Sequence, residues 1–375
     1  MKKESELINR AIVFGIKPPW DASQLPANTL SKYLQEKSYH VTYICDDVSP
    51  FHILKWGFTP SVIKNFFKII FYGIQIGNVT YFSSFSLFPH FSNISNVYTF
   101  LFKNFNIRFK STKLKAALKH YYHISFCASY RNNKDFVEVQ AHRKIFSIED
   151  NPKGFGILSE ELIEEVENRI KRERSIETWC TSKLLIKERY KKANYYSNGI
   201  NENFKIDLKH NSNKRCVYIG AIEDWFDWDL VNNTFNQLGN DGYCLDIFGP
   251  APKSISNKIK SDYINFKGRI GNKEVQNLLH NYSVGIIPFK KNDLIKYVNP
   301  IKYYEYLSCG LRTVASDWDE LVLLDYENIY LASKHNFANK IKLANSETFQ
   351  NNEKKIFEFL SKRKYEYLFK EVLKV

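Results

Sequence analysis

The densest chemistry in the chain lies in the run Asn299-Pro300-Ile301-Lys302-Tyr303-Tyr304-Glu305-Tyr306-Leu307-Ser308-Cys309-Gly310. Asn-Pro marks a turn, and proline suits the first turn of a helix. Ile301, Tyr304 and Leu307 then recur at helical spacing, and Gly310 reads as the stop. Lys302 and Glu305 are three apart and share a face near the helix start. Free backbone N–H groups and the positive end of the helix dipole favour a phosphate there. Lys302 adds a full positive charge, and Glu305 is of the type that accepts hydrogen bonds from ribose hydroxyls. The same spacing also fits a buried helix with a surface Lys–Glu pair, worth only a few tenths of a kcal/mol.

A second candidate is the carboxylate pair in Glu149-Asp150-Asn151-Pro152, which closes a strand read over Arg143 to Ile148. Carboxyl ends of strands form the ligand crevice of doubly wound sheets, so Asp150 there is a candidate general base. The alternative is an Asp-Asn-Pro turn in which Asp150 caps its own backbone. Metal chemistry has little support. The six cysteines are scattered without a Cys-x-x-Cys, and the nine histidines form no His-x-x-x-His ligand pair. Free cysteines in apolar strands behave as small hydrophobes, which points to a reducing compartment.

The elements that must position these residues alternate. A strand at Ala11 to Gly15, the loop Ile16 to Ser23, a helix from Leu25 to Lys37 and a strand at Val41 to Cys45 make a β-loop-α-β opening. No Gly-x-Gly-x-x-Gly follows the first strand, which argues against a dinucleotide site there. Pro60 to Tyr72 reads as a helix with Val62, Ile63, Phe66, Phe67, Ile69 and Ile70 apolar and with Lys64 and Lys68 one turn apart. A further basic cluster follows at Lys103, Arg108, Lys110, Lys113, Lys115 and Lys119. A basic, aromatic amphipathic helix suits a membrane interface, with Phe66, Phe67 and Ile70 as the inserting residues; it equally suits a core helix whose lysines face water. Tyr122 to Ser129 is another strand. In the second half strands recur at Cys216 to Ile219, Cys244 to Phe248, Ile264 to Lys267, Val284 to Pro288 and Thr313 to Ser316, with helices between them. The pattern predicts an α/β protein of two doubly wound, Rossmann-like domains: residues 1–200, a linker at 201–214, a second domain at 215–345, and helices over 346–375.

Composition sets the outer bounds. Lys+Arg 54 against Asp+Glu 40 leave +14, so the surface favours polyanions: anionic membrane, nucleic acid or phosphorylated ligands. No RNA- or DNA-binding motif accompanies the charge, so nucleic acid is not assigned as a partner. No run is apolar enough to span a bilayer and Met1 to Arg10 does not build a signal peptide, so a cytoplasmic location is expected.

The run Asn-Pro-Ile-Lys-x-x-Glu-Tyr-Leu-x-x-Gly before an apolar strand resembles the donor-binding motif of GT-B glycosyltransferases. Tyr218-Ile219-Gly220-Ala221-Ile222-Glu223-Asp224-Trp225-Phe226-Asp227-Trp228 is similar to a Gly-Ala-x-x-x-Trp-Phe-Asp-Trp signature of bacterial polysaccharide glycosyltransferases. Phe266-Lys267-Gly268-Arg269 and Ile287-Pro288-Phe289 fall at that family's successive strand ends. The N-terminal half resembles the family more weakly, through the Pro18-Pro19-Trp20 loop and the Glu149-Asp150 strand end. Enzymes of exopolysaccharide or teichuronic acid assembly, glucuronosyltransferases among them, are nearest in style.

The resemblance implies two domains facing a cleft, the last helix crossing back to the first domain. It implies a metal-independent hexosyltransferase-like enzyme with no cofactor, using a UDP- or GDP-linked sugar as donor. Gly220, Arg269, Asn299, Lys302 and Glu305 would hold the donor, Trp20 and Asp21 the acceptor, and Asp150 would be the base if the enzyme inverts. The acceptor would be a saccharide or a lipid-linked saccharide of a surface polysaccharide or capsule, met at the inner face of the plasma membrane. Tyr297 stands where retaining members carry a first Glu, which leaves the stereochemistry open. Asp227-Trp228-Asp229 spells the Asp-x-Asp metal motif of the other large glycosyltransferase fold, but acidic residues in a first helical turn need no metal. Rival readings are a non-catalytic binding protein of the same fold and a sugar-nucleotide epimerase.

Overall fold

The computed structural model describes residues 9–20, 26–88, 106–154, 156, 158–200, 204–252, 254–271, 273–324, 326, 328–347 and 352–374. The chain divides into two compact units. One runs to Cys180 and includes Lys192–Asn194; the other comprises Thr181–Lys191 and the chain from Tyr195 onward.

The first unit contains β1 (Arg10–Phe14), β2 (His40–Val48), β3 (Ile74–Ile76), β4 (Val79–Ser86), β5 (Arg108–Phe109), β6 (Tyr121–Cys127), β7 (Gln140–Ile148) and β8 (Ile176–Cys180). They lie in the order β3-β4-β2-β1-β6-β7-β8, with β5 on β4. Neighbours from β4 to β8 run parallel, while β3 and β5 are antiparallel to β4. Ala11, Ile12, Val13 and Phe14 are all fully buried. A parallel strand covered on both faces needs such an unbroken apolar run.

A two-residue strand β9 (Asn194–Tyr195) lies where the chain passes from one unit to the other. The second unit holds β10 (Arg215–Ile219), β11 (Cys244–Phe248), β12 (Ile264–Gly268), β13 (Val284–Ile287), β14 (Arg312–Ser316) and β15 (Ile329–Ala332). Their order is β12-β11-β10-β13-β14-β15, with neighbours parallel throughout. Once the antiparallel additions are set aside, both sheets have the doubly wound order in which direction reverses beside the first strand. The reversals fall between β1 and β6 and between β10 and β13, where such sheets bind ligands.

Some elements depart from the sequence reading. The helix after β10, which the spacing of apolar residues would start at Asp224, begins at Trp228. Before it, Asp224 and Trp225 form a turn closed by Phe226 N donating to Glu223 O at 3.0 Å, after which Asp227 N donates to Pro288 O at 2.9 Å and Phe226 bridges Phe289 in antiparallel fashion. Asp227 then caps the helix by accepting from Leu230 N at 3.0 Å. In the C-terminal helix Glu353–Ser361, Ile356 and Leu360 turn inward, while the equally apolar Phe357 is 52% exposed.

The helix Pro60–Phe71 forms as expected, but its faces sort differently. Phe66, Ile69 and Ile70 are buried in the unit, so Phe66 and Ile70 do not face solvent as inserting residues would. Phe67, Phe71 and Tyr72 are exposed instead, and Phe71 packs on Phe109 with ring centroids 5.6 Å apart. Two of the expected surface cations are paired: Arg108 lies 3.8 Å from Asp47, and Lys110 meets Asp135. Lys103 lies outside the described residues. Among the described residues no helix is long and apolar enough to cross a membrane.

Candidate functional site

In the second unit the helix Ile301–Ser308 follows the loop after β13, beside the topological reversal. Its start is held from below. Asn299 is buried; its side-chain amide donates to Thr181 O and to the Tyr195 hydroxyl, both at 3.3 Å, and its carbonyl accepts from Tyr304 Oη at 3.0 Å. Asn198 Nδ2 donates to Asn299 O at 2.7 Å, and Trp318 Nε1 to Val298 O at 2.8 Å. Asn299 therefore spends both ends of its side chain on protein and orients the helix start.

Lys302 runs from that start across to Gly220, at the carboxyl end of β10. A Cβ on Gly220 would lie 2.2 Å from Lys302 Cε and 2.7 Å from its Nζ, so only glycine leaves this path open. Gly220 is hemmed in from the other side by Gly249, whose φ is +144° and whose added Cβ would sit 1.9 Å from Gly220 O. Lys302 Nζ lies 5.9 Å from the centroid of the Tyr218 ring. Burial lowers the Lys302 pKa, with Glu305 opposing the shift; burial pushes Glu305 up to about 7, with Lys302 opposing. The two charges are desolvated together, and an anion reaching the ammonium favours its charged form.

The structure thus brings Gly220, Lys302 and Glu305 together. Arg269 follows β12 and is exposed, two strands from β10 in the sheet order. It lines a separate cavity of about 520 Å³ with Phe248, Glu274 and Asn277. Gly249 N donates to Gly268 O at 2.8 Å, so the ends of β10, β11 and β12 form one continuous rim. Tyr297 donates through its hydroxyl to Glu188 at 2.7 Å. In the Asp-x-Asp run, Asp227 is occupied by its cap and by Lys334 Nζ at 3.1 Å.

The first unit carries a cavity of about 260 Å³ at the carboxyl ends of its central strands. Asp46, Glu149 and Asp150 line it, with Ser129, Arg131 and Tyr130. The turn after β7 is capped by Asn151, whose Oδ1 accepts from Lys153 N at 3.3 Å. That is the task the turn reading had given to Asp150, which lines the cavity instead. Burial pushes Asp150 up to about 7, and burial plus the Asp150 charge push Glu149 up to about 8. Asp46 is raised to about 6 by burial, against the pull of Arg131 at 3.6 Å and the Ser129 hydroxyl donated to it. Asn132 Nδ2 also donates to Asp46, at 3.2 Å. Carboxyls poised near neutrality in a cavity can exchange protons with a bound hydroxyl.

The sequence reading missed Asp46, Ser129 and Arg131 and passed over Glu149 in favour of its neighbour. The signal for Asp46 was present, because it follows a recognised strand at its carboxyl end. Trp20 is also in this unit, edge-on to Trp56 at 5.3 Å, with its indole N–H buried and without a hydrogen-bond partner among the described residues. Asp21 lies outside the described residues.

No protein-family model and no curated protein matches the sequence. Solved structures do match in fold. A TarM variant of S. aureus, in complex with fondaparinux, α-GlcNAc-glycerol and UDP, superposes with a TM-score of 0.62 at 11% identity, over 97% of this chain and 99% of that one. An α,α-trehalose 6-phosphate synthase of Burkholderia multivorans gives 0.61 at 11% identity, over 97% of each chain. HepE of Anabaena, in complex with UDP and glucose, gives 0.60 at 10% identity, over 98% of each. This chain has the GT-B fold that these glycosyltransferases share.

Proposed function

We propose that this protein is a glycosyltransferase that moves a sugar from a nucleotide-sugar donor to a saccharide or lipid-linked acceptor in bacterial surface-polysaccharide assembly. One observation carries the reading: Lys302 lies against Gly220 at the β10/β13 reversal, with Glu305 on the same helix. The ammonium would neutralise the leaving diphosphate, Arg269 would reach in along the rim, and Glu305 would hold the ribose. Cationic side chains aimed where charge develops stabilise the transition state, and in this reading they do so without a metal. Several structural neighbours hold UDP, which favours a UDP-linked donor over a GDP-linked one. The second unit would bind the donor and the first the acceptor, whose hydroxyl would meet Asp150.

The test is thermal unfolding with a panel of UDP-, GDP-, dTDP- and CMP-sugars, followed by assay of nucleotide release. A ligand that binds only the folded state at a hundred times its Kd stabilises by about 2.7 kcal/mol. A transferase releases the nucleoside diphosphate only when an acceptor is present; an epimerase releases none and converts the sugar. Failure of the whole panel to stabilise the protein would end the donor-site reading.

The acceptor's location adds a second expectation, that the first unit docks on an anionic membrane. Phe67, Phe71 and Tyr72 form an exposed aromatic strip, with Lys64 and Lys68 exposed on the same helix. Each Lys near such a surface contributes about 1 kcal/mol, which salt screens, while the aromatic contribution survives salt. Co-sedimentation with anionic vesicles should fall with salt without vanishing. Lys64→Glu with Lys68→Glu should weaken it by roughly tenfold or more at low salt. Protein left in the supernatant with anionic vesicles at low salt would remove the membrane from this reading.

A further inference from the structure

At the opposite edge of the first unit's sheet from the carboxylate cavity, β1, β2, β4 and β6 begin around a depression of about 390 Å³. Arg10, His40, Lys113 and His120 line it, with Asn78 and Thr80 between them, and among the described lining residues there is no carboxylate. Nearby on the unit, by contrast, Arg108 and Lys110 are matched by Asp47 and Asp135. Neither Arg10 nor Lys113 has an ion-pair partner among the described residues.

The cations come from different elements. Arg10 opens β1, where its backbone N–H donates to His123 Nδ1 at 3.2 Å, and it pairs in register with His40. Lys113 belongs to the helix Thr112–Leu118 and lies over the Tyr72 ring at 5.4 Å. Tyr122, also at the wall, is anchored by donating to Ala117 O at 2.7 Å, and the Arg10 charge acts on its phenol.

A guanidinium fork, an ammonium and two imidazoles facing one depression match a compact anion with several oxygens. We propose that this depression binds a phosphomonoester group. The site lies at the opposite ends of the first unit's strands from the cavity that the acceptor reading uses, and it does not rest on the glycosyl-transfer proposal. The phosphate has two possible sources, a soluble metabolite or a lipid headgroup. Tyr72 joins the depression to the exposed Phe67 and Phe71, along which an acyl chain could lie.

The experiment has two arms. Glycerol 3-phosphate is titrated calorimetrically into the full chain, and co-sedimentation compares phosphatidylcholine vesicles carrying phosphatidic acid with vesicles carrying equal phosphatidylglycerol, a phosphodiester. Saturable binding is expected in at least one arm: glycerol 3-phosphate if the source is soluble, phosphatidic acid over phosphatidylglycerol if it is lipid. Arg10→Ala with Lys113→Ala should weaken it at least tenfold, and Lys302→Ala should leave it unchanged. If the double variant does not fold, the exposed single change Lys113→Glu serves in its place. Absence of saturable binding in both arms, no preference for the monoester lipid together with no glycerol 3-phosphate binding, or affinity unchanged in the variants would overturn the proposal.

Discussion

Lys302→Ala will weaken binding of a nucleoside diphosphate by roughly ten- to hundredfold while leaving the bare nucleoside almost unaffected. Charge-assisted hydrogen bonds of this type contribute about 1.5–3 kcal/mol, and each 1.4 kcal/mol is about a factor of ten. The selectivity follows from the position of the ammonium, which lies on the backbone of Gly220 where an anion can approach both. Little of the fold depends on it, since Lys302 is only partly buried, whereas the helix start is anchored by Asn299 and Trp318. Gly220→Ala gives an independent check. Its methyl group would meet Lys302 Cε at 2.2 Å and push the flexible side chain aside, so diphosphate affinity should fall in the same direction by less. Titration calorimetry with UDP and uridine separates the outcomes. Equal losses for the two ligands in Lys302→Ala would take Lys302 out of the phosphate site.

If the enzyme inverts, Asp150→Asn will lower turnover by roughly a hundredfold or more with donor affinity little changed, because it keeps the shape of the side chain and removes the proposed base. The pH profile carries the sharper signature. A base must be unprotonated, and the Asp150 and Glu149 carboxyls are raised to about 7 and about 8. Wild-type turnover should therefore rise with pH through that window, as a property of the pair. Stability runs the other way. Folded-state pKa values raised above the ordinary carboxylate range contribute stability that is full below that range and lost as pH rises through about 7 to 8. Asp150→Asn removes one of these groups and the charge that raises Glu149. The variant should lose less stability than the wild type between neutral and mildly alkaline pH. Near-wild-type turnover in Asp150→Asn, with a large loss in Glu149→Gln, would move the base to Glu149; no loss in either would leave the cavity without a catalytic role.

Both predictions rest on residues that could be picked from the sequence, and the reason lies in local pattern. Strands buried on both faces are written as unbroken apolar runs such as Ala11 to Phe14, and the helices between them carry a readable period. Asn-Pro before Ile301 and the Asp-Trp-Asp cap before Leu230 are local signals acting on local backbone. The α/β class, the doubly wound pairing of domains and the helix bearing Lys302 were legible for that reason.

What local pattern does not contain is the order of strands and the direction of each face. Which strand lies beside β10 depends on crossovers that no window of sequence spans, yet that order puts the reversal where Lys302 meets Gly220. The same holds for Asp46 on β2 and for Ser129 and Arg131 just after β6, which become one wall only when β1, β2 and β6 pair. Period alone made Phe66, Phe67 and Ile70 equivalent; packing buried the first and last and left Phe67 outside. Asn299 shows the limit most directly. Its type and spacing suited a ligand, but its amide is committed to Tyr304 on the helix it opens and to Thr181 and Tyr195, more than a hundred residues away in the chain. The amino-acid sequence by itself determined the elements and most of the chemical groups. Tertiary structure alone decided which groups face a cavity together and which are spent holding the backbone, because hydrogen-bond satisfaction and desolvation depend on every neighbour in space.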